Sequence, residues 1–76
     1  MRYTIKITPQ AQRGLRSIPS GVAAYVTAAI DTLQFDPRPP GCQQLGENLY
    51  RISEWGYIIE YEIIQQEVVI RIIFIG

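Results

Sequence analysis

LYRISEWGYIIEYEIIQQEVVIRIIFIG, residues 49–76, is the stretch that decides the fold of this chain. Its β-branched and aromatic residues suit a pleated sheet and crowd a helix. They predict three successive strands, over 49–54, 57–64 and 67–75. Only Gln65 and Gln66 separate the last two strands, so we predict a β-hairpin. This pair lacks the glycine of a tight turn, and the loop is therefore expected to take in Ile64 or Glu67.

The alternation of side chains in these strands predicts which face is buried. In the second strand it places four large apolar residues on the core face: Tyr57, Ile59, Tyr61 and Ile63. In the third strand it predicts one unbroken apolar row of Val68, Ile70, Ile72 and Phe74. The opposite side of the third strand is also mostly apolar, and a strand that is apolar on both sides is covered by its neighbours. We therefore predict that the third strand lies inside the sheet.

Length, charge and residue counts limit the functions open to the chain. Its 76 residues suffice for a single domain, 1–76, and no segment has the roughly 20 apolar residues of a membrane span. We expect a cytoplasmic protein, because the first residues alternate like a strand and do not resemble a signal peptide. The chain has one cysteine, Cys42, and no histidine. These counts exclude metal sites built on both residue types and histidine catalysis, so we expect no metal and no cofactor.

The first half of the chain predicts one strand and two helices. A strand over 2–7 is followed by a helix that Thr8 caps and that Pro19 ends. Gly14 lies inside this helix and weakens it. Ser20 is predicted to cap the second helix.

The segment between the second helix and the three strands is predicted to be a connection. The prolines that follow Asp36 end the second helix, and 36–48 is predicted to be a long loop. The order is β-α-α-β-β-β, which predicts an α+β fold with two layers. A helical hairpin packs on a small, mainly antiparallel sheet, and the first strand lies beside the last.

Seven cationic residues balance seven acidic ones, and this neutrality disfavours strong nucleic-acid binding. Four of the cations nevertheless lie within the first 16 residues. The candidate RNA-binding residues are Lys6, Arg13, Arg16 and Arg71. Arg71 interrupts an apolar strand, and its simplest interpretation is an ion pair with Glu60 or Glu62 on a neighbouring strand.

An ordered set of short motifs across the whole chain resembles the RelE/ParE superfamily of type II toxins. The set comprises the Thr-Pro helix start with Ala11 and Leu15, Asp36-Pro-Arg-Pro-Pro-Gly41, Leu45, Leu49-Tyr-Arg-Ile52, Gly56-Tyr57, Tyr61-Glu-Ile63 and the final apolar strand. The resemblance implies a RelE/ParE-like fold and a cognate antitoxin as partner. It implies one of two targets: RelE-like toxins cleave mRNA on the ribosome, and ParE-like toxins inhibit DNA gyrase.

The RelE-like interpretation implies metal-free cleavage, in which a 2′-hydroxyl attacks the adjacent phosphate. Arg51 matches a basic position of that family's site and is the candidate catalytic residue. Ser53 and Ile58 stand where the family carries further basic residues, and the basic, tyrosine-bearing tail that follows the position of Gly76 in the family is not in this sequence. We therefore expect weak or absent ribonuclease activity. The alternatives are a ParE-like gyrase inhibitor and a noncatalytic toxin that retains antitoxin binding.

The resemblance also bears on assembly. We expect either a dimer or a toxin–antitoxin hetero-oligomer, because without a covering C-terminal helix the apolar sheet surface near Ile73, Phe74 and Ile75 is left bare.

Overall fold

The computed structural model describes residues 2–76, which form two helices and a five-stranded sheet. The elements in chain order are β1 (Thr4–Ile7), α1 (Pro9–Arg16), α2 (Ser20–Thr32), β2 (Gln43–Gln44), β3 (Leu49–Glu54), β4 (Tyr57–Ile64) and β5 (Val69–Ile75). The predicted α+β fold with two layers is confirmed. No helix of this described part is long and apolar enough to cross a membrane.

The strands lie in the order β1-β5-β4-β3-β2. β1 runs parallel to β5, and the other three strand pairs are antiparallel. β5 therefore lies inside the sheet beside the first strand, as its apolar residues on both sides predicted. A parallel pair of strands needs a long crossover connection, and the helices and three further strands provide it.

The strand β2 was not predicted from the sequence. It lies within 36–48, which was wrongly interpreted as loop throughout, and pairs Gln43 with Arg51 and Gln44 with Tyr50. A strand of two exposed glutamines carries no apolar alternation. Its pairing with β3 is therefore visible only in the tertiary structure.

The two helix starts differ in how their free amides are satisfied. Thr8 caps α1 as predicted: its Oγ1 accepts a hydrogen bond from the Ala11 amide at 3.2 Å. The predicted Ser20 cap is wrong, because Pro19 occupies the cap position and Ser20 is already the first residue of α2. No side chain caps α2.

The core lies between the helical layer and one face of the sheet. Ala11 and Ile18 contribute from the α1 side, and Val26 and Ile30, four positions apart on one helical face, contribute from α2. The other buried members of this cluster are Tyr3, Leu33, Tyr50, Ile59, Tyr61, Ile63, Ile70, Ile72 and Ile75.

A β-bulge changes the predicted alternation near the end of β5. Tyr61 pairs with Ile72 and Glu60 pairs with Phe74, so Ile73 is an extra residue without a partner. One extra residue exchanges the two faces for all residues that follow it. Ile75 is consequently buried at 2% exposure and Phe74 is 38% exposed. The exposure of Phe74 agrees with the bare apolar surface expected near it, whereas the predicted bare position of Ile75 was wrong.

The β3–β4 and β4–β5 hairpin turns use positive φ angles. Between β3 and β4, Trp55 (φ 54°) and Gly56 (φ 80°) form the whole loop, and positive φ at both residues is typical of a type I′ turn. Between β4 and β5 lies a 3₁₀ turn over Gln65–Glu67, followed by Val68 at φ 54°. The loop therefore takes in Glu67, and β5 begins at Val69, two residues later than predicted.

Candidate functional site

The sheet has one face covered by the helices and one open face. α1 packs on β5 and α2 packs on β3, both on the side of the buried tyrosines. Side-chain alternation from the buried positions places three cations on the open face, namely Lys6, Arg51 and Arg71, with the carboxylates Glu60 and Glu62 between them.

Arg51 is held by its neighbours on both sides. Its Nη2 lies 3.7 Å from Oε2 of Glu60, which is directly opposite on β4. Its Nη1 donates to Oε1 of Gln43 at 3.3 Å, across the β2–β3 pair. Its Nε is buried and makes no hydrogen bond. The candidate catalytic arginine is thus already paired with a carboxylate in the free protein.

Arg71 forms the ion pair that its sequence context predicted. Its Nη1 lies 3.6 Å from Oε1 of Glu62, its register partner on β4. Lys6 is the register partner of Arg71 on the other side. Lys6, Arg71 and Glu62 therefore form one row across three strands, and Arg51 and Glu60 lie in the next row.

The other positions at which the superfamily resemblance places basic residues are uncharged on this face. Ser53 and Ile58 are opposite each other in the β3–β4 pair. Phe74 faces the same side, opposite Glu60. The surroundings of Arg51 are therefore one carboxylate, the Gln43 amide, a hydroxyl and apolar side chains.

The remaining predicted RNA-binding residues lie elsewhere. Arg13 and Arg16 are exposed on α1, which belongs to the helical layer on the other side of the sheet. Arg16 Nη2 donates to Gln12 Oε1 at 3.4 Å. The structure thus brings Lys6, Arg51 and Arg71 together and separates them from the two helical arginines.

Arg38 is a site candidate that the sequence analysis missed. Its Nε donates to the Tyr50 hydroxyl at 3.1 Å, and its guanidinium carbon lies 5.3 Å from the Tyr50 ring centroid. This hydrogen bond raises the pKa of Arg38 above its ordinary value. The Pro-Arg-Pro-Pro run was interpreted as a helix stop and as part of the superfamily resemblance, although an arginine between prolines also has a restricted backbone that can present a cation.

Tyr61 anchors the loop that carries Arg38. Its ring is fully buried, 5.9 Å from the Tyr50 ring, and its hydroxyl donates to the Pro37 carbonyl at 2.7 Å. Burial raises the pKa of the Tyr61 phenol above its ordinary value of 10.0. The neutral, hydrogen-bonding form is therefore favoured in the folded protein.

Alkaline pH is expected to destabilise the protein through Tyr61. Above about pH 10 the unfolded phenol releases its proton while the folded one retains it, so Tyr61 lowers stability by up to about 1.4 kcal/mol per pH unit. Its contribution is complete below the unfolded pKa and is lost as the pH rises towards the folded pKa. Urea unfolding from pH 8 to 11 should show the stability advantage over Tyr61→Phe shrinking with pH. Parallel curves for the two proteins would contradict the assignment.

The open face offers little of what phosphate chemistry requires. Cleavage by a 2′-hydroxyl needs a base, cations for the developing phosphorane charge and an acid for the leaving oxygen. Two of the three cations are paired with glutamates, and those carboxylates repel phosphate. In residues 2–76 all five tyrosines lie on the helical side or in α2. The same part of the chain contains no group of three histidine, cysteine, aspartate or glutamate residues that could hold a metal ion.

Solved structures similar to this one include RelE toxins, alone or with antitoxins. A double arginine-to-alanine mutant of E. coli RelE in the free state has a TM-score of 0.87 and 24% identity, with 100% of this chain and 83% of that chain covered. The toxin–antitoxin complex RelBE2 of Mycobacterium tuberculosis gives 0.85 and 21%, with 100% and 98% covered. The archaeal RelE–RelB complex of Pyrococcus horikoshii OT3 gives 0.84 and 24%, with 100% and 94% covered. At these identities the similarity establishes the fold.

The family is established by sequence. No curated protein matches the chain significantly. The sequence model described as the ParE toxin of the type II toxin–antitoxin system parDE matches residues 5–76. Because this match spans nearly the whole sequence, the chain belongs to the ParE toxin family, within the RelE/ParE superfamily of type II toxins.

Proposed function

We propose that this toxin acts by binding a protein target, DNA gyrase, and not by cutting RNA. The observation that carries the proposal is the state of the open face: Arg51 and Arg71 are each paired with a glutamate of β4. An inhibitor that works by protein contact needs no base, acid or free cation cluster. The match to the ParE family supports the same interpretation.

The competing hypothesis is ribosome-dependent mRNA cleavage, with Arg51 as a catalytic residue and Lys6 and Arg71 as RNA contacts. For this activity Arg51 and Arg71 would have to leave Glu60 and Glu62 and turn to phosphates. Ion pairs in contact with solvent are worth at most about 1 kcal/mol, and both pairs are at least partly exposed, so the rearrangement itself is inexpensive. The glutamates would nevertheless stay beside the RNA, and their charge opposes binding.

We also propose an antitoxin as the partner of this chain in the cell. Several similar solved structures are complexes of a toxin with its antitoxin. The open face supplies a suitable surface, because the exposed ring of Phe74 lies beside ion pairs that a partner can cover. A toxin that inhibits an essential enzyme requires such a neutralising partner.

Two assays on the purified chain test the target. We expect inhibition of gyrase-catalysed supercoiling of plasmid DNA, and no cleavage of a reporter mRNA in a purified translation system. Arg51→Ala is the matched variant. It should leave supercoiling inhibition unchanged, whereas a cation that stabilises a transition state is worth about 100-fold in rate.

The outcomes separate the three functional classes. Codon-linked cleavage that Arg51→Ala removes would overturn the proposal and establish a RelE-like ribonuclease. Neither activity, in a chain that still binds its antitoxin, would also overturn it and favour a noncatalytic toxin. Supercoiling inhibition without cleavage is the expected result.

A further inference from the structure

A groove of about 360 Å³ lies at the end of β3, on the side of the sheet that α2 covers. It runs between α2, the loop prolines Pro39 and Pro40, and the last residues of β3. Ala29 and Ile52 line it and are partly buried against the core. The groove is therefore lined in part by side chains that pack against the core.

Two aromatic rings stand at one side of this groove. Tyr25 lines it and is 54% exposed, and Trp55, in the β3–β4 turn, is 61% exposed. Their ring centroids are 4.8 Å apart and their planes are tilted by 36°. A pair of exposed rings in contact is a larger apolar surface than either ring alone, and it offers π faces to a cation.

Glu54 supplies the only charge among the residues that line the groove. It follows Ile52 on the same face of β3 and is only partly exposed. The two ion pairs found within residues 2–76 involve Glu60 and Glu62 on the opposite face. The nearby Thr32 hydroxyl is engaged elsewhere, because it donates to the Ala29 carbonyl at 2.7 Å. Glu54 thus belongs to neither ion pair of the described residues.

We propose that this groove binds an arginine side chain presented by a partner protein. The aliphatic stem would pack between the Tyr25 ring and the prolines, over Ala29 and Ile52. The guanidinium would pair with the Glu54 carboxylate and lie against the aromatic rings. Arginine fits better than lysine, because its planar group stacks on rings and pairs with a carboxylate through two hydrogen bonds.

The chemistry of the groove favours a protein over a nucleic acid. A lone carboxylate repels phosphate, whereas it attracts a basic side chain. Apart from Thr32 and Ser53, the uncharged residues of the walls are alanine, proline, isoleucine and tyrosine, so the arginine should be flanked by apolar residues in the partner. This site does not depend on which target the toxin inhibits, and its test can succeed or fail whatever the supercoiling assay shows.

The single tryptophan of the chain provides the measurement. The probe is the tripeptide acetyl-Leu-Arg-Leu-amide, titrated into the full 76-residue chain while Trp55 emission is recorded. The comparison probe replaces arginine by citrulline, which has the same shape and no charge. We expect a saturable emission change at millimolar concentrations with the arginine peptide, and binding at least about fivefold weaker with citrulline.

Two glutamate-to-glutamine variants test whether Glu54 binds the arginine side chain. Glu54→Gln should weaken the arginine peptide about fivefold and leave the citrulline peptide unchanged. The matched control is Glu47→Gln, at an exposed carboxylate in the loop before β3, which should change neither titration. Equal binding of both peptides to the unmodified chain, or no saturable change with either, would overturn the proposal. So would an effect of Glu47→Gln as large as that of Glu54→Gln.

Discussion

Replacing Gly14 with alanine is expected to lower the free energy of unfolding by about 2 kcal/mol, although alanine favours helix by about 1 kcal/mol. A Cβ atom at Gly14 would overlap the backbone carbonyl oxygen of Ile75, and the carbonyl carbon lies within 2.9 Å of the same point. Backbone of an interior strand cannot move aside as a flexible side chain can. The helix and β5 would have to separate, which loosens the core at their contact.

Gly21 provides the control for this substitution. It lies in the first turn of α2, and a Cβ built there meets no atom within 4 Å. Gly21→Ala should leave stability unchanged or raise it by up to about 1 kcal/mol. Urea unfolding of both variants measures the contrast. Equal effects of the two substitutions would show that α1 does not approach β5 as closely as the structure has it.

Truncating Ile75 to alanine is expected to cost about 2–5 kcal/mol, whereas truncating its larger neighbour Phe74 should cost clearly less. Ile75 is buried at 2% exposure, and Phe74 is 38% exposed on the open face. The order of these effects depends on the bulge at Ile73. Without the extra residue, Phe74 would face the core and its truncation would be the more costly of the two.

Chemical denaturation of the two variants distinguishes the bulged strand pairing from a pairing with regular alternation. A small domain has a stability of only about 5 kcal/mol, so Ile75→Ala is expected to be partly unfolded at 37 °C. Phe74→Ala should remain folded and serves as the control for expression and purification. A larger loss for Phe74→Ala would contradict the bulge and restore the regular alternation.

The pairing of charges on the open face affects the choice of salt concentration in RNA-binding assays. Ion pairs between neighbouring strands keep the face close to neutral, with Lys6 as the one cation there outside both ion pairs found in residues 2–76. Surface pairs are weak and screened by salt. Assays for RNA binding at low salt would therefore overstate any affinity that this face has.

Much of the fold follows from the sequence by itself. Alternation of β-branched and aromatic residues determined β3 and β4 and the core face that contains Tyr61, because period-two burial is a local property of the chain. The Thr8-Pro9 pair determined the start of α1 in the same way, since a cap needs only residues three positions apart. The apolar character of β5 on both sides determined its interior position.

Only the tertiary structure decided the features that join distant parts of the chain. The bulge at Ile73 depends on the register between β4 and β5, which leaves no mark in the composition of either strand. From the sequence, Gly14 was interpreted only as a residue that weakens α1. In the structure it is the point at which α1 closely approaches the backbone of Ile75. The groove is formed by residues 25–32, 39–40 and 52–54, which meet only after folding. Local periodicity determines which residues are buried, whereas non-local packing determines which of them lie together.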